Sequence, residues 1–207
     1  MSAEESKRNR IMELAFKKFS TLGVPHVTMD EISRGIGIGK GTLYKMFPSK
    51  ESLLFATIDF IALNIDKKIE EIIANQQLSA VEKLNLMLKT VSERISKINP
   101  SVITSVERSM PEAYDKIVEL RKHIILNNML KIFEEGKQSG LFDPTMDSFL
   151  VVNILIGAVN HITEASVLST FDYSLDNLLK NVTSTILLGC LTEEGKKSQK
   201  KGCLQPL

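Results

Sequence analysis

The chain has 207 residues, 43% of them hydrophobic and 25% charged, with a formal net charge of +1, values ordinary for a folded soluble protein of one or two domains. Two cysteines, Cys190 and Cys203, are too few for a disulfide framework. The N-terminus has no apolar segment that could serve as a secretion signal, so the expected location is the cytoplasm. The most apolar run, FLVVNILIGAV at 149–159, contains Asn153 and falls short of the roughly 20 residues that cross a bilayer.

Charge is unevenly spread. Residues 1–50 hold nine Lys and Arg against five Asp and Glu, whereas residues 51–190 hold 13 against 18. A basic first quarter on an acidic body suits a protein that meets a polyanion at one end.

Helical periodicity runs through nearly every segment, and no alternation of period two or internal repeat is present. Ile11, Leu14, Ala15, Phe19 and Leu22 form the first apolar stripe, which Gly23 and Pro25 end. Thr28 opens a second helix with Glu31 in capping-box spacing and Met29, Ile32 and Ile36 facing inward. Gly37-Ile38-Gly39 interrupts it, and a short third helix over about 40–47 buries Leu43 and Phe47. After Pro48, Ser49 caps a long helix carrying Leu54, Ile58, Ile61, Ile65, Ile69 and Ile72. Another stripe, Leu84, Leu88, Val91, Ile95 and Ile98, ends at Asn99-Pro100, where the proline forces a break.

Pro111 opens a long helix to about residue 138, with Leu126, Met129, Leu130 and Phe133 inward. Two last helices, about 147–168 and 174–191, are apolar on more than one face, so each is either central in its own domain or shared with a partner chain. Residues 193–207 lack an apolar face and read as a flexible basic tail. The expected fold is all-α with about nine helices: a head over 1–50, a helical body over 51–192 and the tail.

Two short helices joined by a glycine turn and preceded by a packing helix make a helix-turn-helix whose second helix enters a DNA major groove. Gly37 supplies a positive φ at the turn, while the bare backbone at Gly39 and Gly41 lets the helix start approach a phosphate. Lys40, Thr42, Tyr44 and Lys45 offer charge, hydroxyls and reach on the same surface.

The run TMDEISRGIGIGKGTLYKMFPSKESLL at 28–54 resembles the DNA-binding signature of TetR/AcrR-type transcriptional regulators, and with the first helix the likeness covers about 45 residues. The resemblance implies that Thr28 caps the second helix and touches a phosphate. It also implies that Lys40 and Thr42 start the recognition helix, that Tyr44 and Lys45 reach the groove, and that Lys50 holds a phosphate at the next helix. Gly39 stands where serine or threonine is common and Met46 where an aromatic or histidine is common, which thins the phosphate anchoring.

The resemblance further implies a homodimer on a palindromic operator and a repressor released by a small apolar or amphipathic effector. Dimer contacts are expected from Phe149, Val152, Ile154, Leu155, Ile156, Leu178, Val182 and Ile186 on the last two helices. Met87, Met110, Tyr114, Met129 and Phe133 are candidates for an adaptable apolar pocket, with Asn160, His161 and Glu164 as polar residues set among apolar ones. His161 and Glu164, three apart, suit a ligand pair, a metal site or an internal contact.

The three histidines, 26, 123 and 161, are scattered and no cysteine motif exists, so neither an enzyme nor a resident metal or cofactor is expected. The other reading left open is a helical DNA-binding dimer that activates transcription or organises the chromosome without an inducer.

Overall fold

The computed structural model describes residues 2–164, 167, 170 and 175–201. Among these residues are ten α-helices, one 3-10 turn at Val24–His26 and a single isolated bridge between Phe142 and Leu191. The chain is all-α. Residues 168 and 174, expected as helix ends, and residues 202–207 with Cys203 lie outside the described residues.

The described chain forms two compact units. The first runs through Asn64 and takes in Lys97–Ile117, so it is larger than the head expected over 1–50; the second comprises Ile65–Ser96 and the chain from Val118 onward.

In the first unit α1 (Ala3–Leu22) starts at a Ser2–Glu5 capping box and ends at Gly23, whose φ of 86° few other residues adopt. α2 (Met29–Ile36) starts at the Thr28–Glu31 box, and α3 (Lys40–Met46) follows a two-residue break. α4 (Lys50–Ala74) begins where Ser49 and Ser52 each receive the other's backbone N–H on the hydroxyl, and its residues beyond Asn64 belong to the second unit. Ile11, Ala15, Phe19, Ile32, Leu43, Phe47 and Leu53 close the core.

α6 (Pro100–Ser109) was not separately expected. Asn99-Pro100, read as a break, is also a start: the Asn99 side chain accepts from Ser101 N–H, and Pro100 occupies the first turn where it has no N–H to waste. The Asn99 N–H donates to the Ser20 carbonyl at 2.9 Å, tying this segment to α1.

The second unit contains α5 (Ala80–Ile95), most of α7 (Pro111–Gln138), α8 (Ser148–Thr163), α9 (Leu175–Leu188) and α10 (Glu193–Lys201). Met87, Met129, Ile132, Phe133, Phe142, Val152 and Leu155 are among its buried side chains. α9 stops short of 191 because residues after Gly189 pair instead with the 141–143 turn: Asp143 N–H donates to the Cys190 carbonyl and Thr192 N–H to the Leu141 carbonyl.

The expected tail begins as α10. Thr192 accepts from the Gly195 N–H, and Gly195 passes so close to the Leu141 carbonyl that any Cβ there would collide with it. A helix without an apolar stripe is held here by its cap and a backbone-to-backbone approach.

Candidate nucleic-acid interface

Between α2 and α3 the turn has the pattern that ends helices on a left-handed residue. Gly37, at φ 77° and ψ 37°, donates to the Arg34 and Ser33 carbonyls, and Ile38 N–H donates to Ser33 as well. Gly39 is different. Its φ of −67° suits any residue, and a Cβ at Gly39 or at Gly41 would meet no atom within 4 Å. Folding therefore gives no steric reason for glycine at these two positions.

α3 turns Leu43 and the following Phe47 fully into the core, 0% and 1% exposed, and leaves Lys40, Gly41, Thr42, Tyr44 and Lys45 on the outside. Tyr44 is 47% exposed, so it is not a core aromatic. The outer surface thus carries two ammonium groups, a hydroxyl and a phenol on a helix of seven residues.

Its orientation is set by neighbours on both sides. Lys40 Nζ lies 2.8 Å from Asp30 Oδ1 on α2, and Arg34 lies 3.3 Å from the same carboxylate. The Lys40 hydrogen bond, with the two cations behind it, holds the Asp30 carboxyl below its usual range. At the other end Arg8 of α1 stacks on the Phe47 ring at 4.3 Å and donates to the Met46 carbonyl at 3.2 Å, meeting the negative end of α3.

No local pattern in the sequence points to Arg8. Its partners lie 38 and 39 positions away, and only the packing of α1 on α3's end brings them together.

Two residues expected on phosphates are occupied within the chain. Lys50 is half-buried, and its ammonium donates to the carbonyls of Val24 at 2.9 Å, Val27 at 3.1 Å and Pro25 at 3.4 Å. Thr28 gives its hydroxyl proton to Glu31 at 3.0 Å and receives the Glu31 N–H in return. The Thr28 backbone N–H, donating to the Glu31 carboxylate at 2.8 Å, together with the hydroxyl lowers the Glu31 carboxyl from its ordinary value.

Residues 11–57 match the family model described as bacterial regulatory proteins, tetR family, and residues 54–189 match one described as YsiA-like protein, C-terminal region. The chain belongs to the TetR family of transcriptional regulators.

A curated relative of this TetR-family chain is the fatty acid metabolism regulator protein of Bacillus subtilis (strain 168), 26% identical over 192 residues, covering 91% of this chain and 98% of that protein. Among solved structures, a TetR-family regulator from Mesorhizobium loti has a TM-score of 0.67 at 20% identity, covering 93% of this chain and 100% of its own. FadR from Bacillus subtilis in complex with stearoyl-CoA has a TM-score of 0.61 at 24% identity, covering 87% and 97%.

In the TetR-family body the expected pocket residues are drawn from both compact units. Met110 and Tyr114 pack on the core of the first unit, whereas Met87, Met129, Phe133 and Asn160 belong to the second. His161 and Glu164, 3.5 Å apart, are 67% and 47% exposed, so this pair lies on the surface rather than inside. No group of three or more metal-ligating side chains occurs among the described residues. No helix among them is long and apolar enough to cross a membrane.

The expected dimer residues also divide. Val152, Leu155, Ile156 and Leu178 are buried within the chain, Val182 and Ile186 are half-buried, and Phe149 and Ile154 are exposed together with Leu150 and Leu188. On α8 Leu150 thus shares the exposed face with Phe149 and Ile154, whereas Leu155 turns into the core.

Proposed function

We propose that this TetR-family chain is a homodimeric repressor that reads a palindromic operator with α3 and leaves it when an amphipathic effector with a long apolar chain enters the body. The observation that carries the DNA reading is the pair of open glycines beside an outward row of Lys40, Thr42, Tyr44 and Lys45. Inside a helix glycine costs up to about 1 kcal/mol relative to alanine, and no neighbouring atom requires it at position 41. Close approach of the helix start to a phosphate does.

Lys40 and Thr42 serve the backbone and Tyr44 and Lys45 the groove, while Lys50 and Thr28 hold the scaffold on which α3 rests. Two-fold pairing through the exposed α8 face matches the symmetry of a palindrome. The effector class follows the Bacillus subtilis relatives, one named for fatty acid metabolism and one solved with stearoyl-CoA.

Gly41→Ala tests the DNA reading because it separates folding from binding. The variant melts at or above the wild-type temperature yet loses operator affinity in a mobility-shift titration. A variant that binds the operator as tightly as the wild type refutes the close-approach role.

A further inference from the structure

One polar residue deep in the second unit is left unexplained by the fold. Asn128 of α7 is 1% exposed, and its Nδ2 donates to Asp66 Oδ1 of α4 at 2.7 Å and to the Ile124 carbonyl at 3.0 Å. Both partners are acceptors, so turning the amide over would set oxygen against oxygen twice; the orientation is fixed. Asn128 Oδ1 then has no hydrogen-bond partner among the described residues. An unmet buried acceptor is destabilising, and a leucine of similar volume would avoid that cost. Donation to a carboxylate also polarises the amide, making its oxygen a better acceptor.

The second unit holds a further such atom on α8. Arg121 Nη1 donates to Thr163 Oγ1 at 2.9 Å and Ser148 Oγ to Glu134 Oε1 at 3.1 Å, so α7 and α8 run antiparallel along each other. That register sets Asn160 level with the residues around Ile124, about one turn from Asn128. Asn160 Oδ1 is likewise buried and without a partner among the described residues. Ile124, one turn before Asn128, and Ile156 and Val159, within one turn before Asn160, are buried apolar side chains.

We infer that the Asp66–Asn128 pair is the polar recognition point of the effector site in the body, where Asn128 Oδ1 accepts a hydrogen bond from an O–H or N–H group of an otherwise apolar ligand. The inference rests on the reading that the body binds such an effector. It narrows the ligand: a bare carboxylate head offers no donor and meets the Asp66 charge, whereas an alcohol or amide N–H on the chain satisfies the waiting oxygen.

The test uses two probes that differ in one donor, 1-dodecanol and its methyl ether, titrated calorimetrically into the full-length protein. Wild-type protein binds the alcohol about tenfold more tightly than the ether. Asn128→Leu binds the ether as the wild type does and loses the preference. Should that variant fail to fold by circular dichroism, Asn128→Ala removes the same oxygen. Equal affinities in the wild type, or a preference that survives in the variant, overturn the inference while leaving an apolar effector site in place. If neither probe binds, the effector reading itself fails and takes this inference with it.

Discussion

Lys40, Lys45 and Lys50 carry the same charge into three different situations. Lys40 is already paired with Asp30, Lys45 faces outward, and Lys50 is spent on three carbonyls of the connection between α1 and α2. Hydrogen bonds to a charged group contribute more than neutral ones, so Lys50→Ala lowers stability by about 1–3 kcal/mol. It also weakens binding to every operator variant alike, because it loosens the connection into α2 rather than removing a base contact. Lys45→Ala leaves the melting temperature unchanged and relaxes discrimination at one operator base pair by about 1–3 kcal/mol. Melting curves alongside a titration over single-base operator variants separate the two; equal losses at every base for Lys45→Ala would reject its reading role. At this scale residue chemistry was legible from the motif, but engagement was not. The partners of Lys50 lie 23 to 26 positions earlier in the chain, and no local pattern encodes that distance.

Helices were legible wherever a cap and an apolar stripe coincide, as at Thr28–Glu31 before Met29 and Ile32. They were not where one signal serves two purposes: Asn99-Pro100 ends one segment and starts α6, and α10 depends on Gly195 meeting the Leu141 carbonyl. Between elements, the pairing of α5 with α7 was also hidden. Lys83 is the least expected core member, its side chain 1% exposed, with its ammonium 2.7 Å from Glu135 on α7. Breaking such a pair from one side leaves a buried charge, whereas replacing the buried member with an apolar side chain of like volume removes the problem. Glu135→Ala therefore destabilises by up to about 3 kcal/mol, the exposure of Glu135 allowing water some relief, while Lys83→Met stays within about 1 kcal/mol of the wild type. Urea unfolding of both variants checks the asymmetry; equal losses would mean that the pair's own attraction, not desolvation, dominates.

The free apolar surface of the second unit is a question for the whole molecule. Phe149, Leu150 and Ile154 on α8 are 59%, 55% and 52% exposed, and Leu188 on α9, which packs beside α8, is 44% exposed. Single exposed apolar residues are ordinary, but several on adjoining helices form the kind of patch that a partner covers. In the homodimer proposed above, a second copy of the chain supplies the other recognition helix of a two-fold pair, and an isologous contact through this face would set each Ile154 at a self-complementary surface. Ile154→Glu then yields a folded monomer by sedimentation equilibrium and circular dichroism, with weak operator binding because one α3 reads only a half-site. Ile156→Glu, two residues on but 6% exposed, instead buries a charge in the chain's own core and unfolds the body. A dimer that persists in folded Ile154→Glu would move the interface off this face, and the contrast with Ile156→Glu distinguishes a lost partner from a lost core.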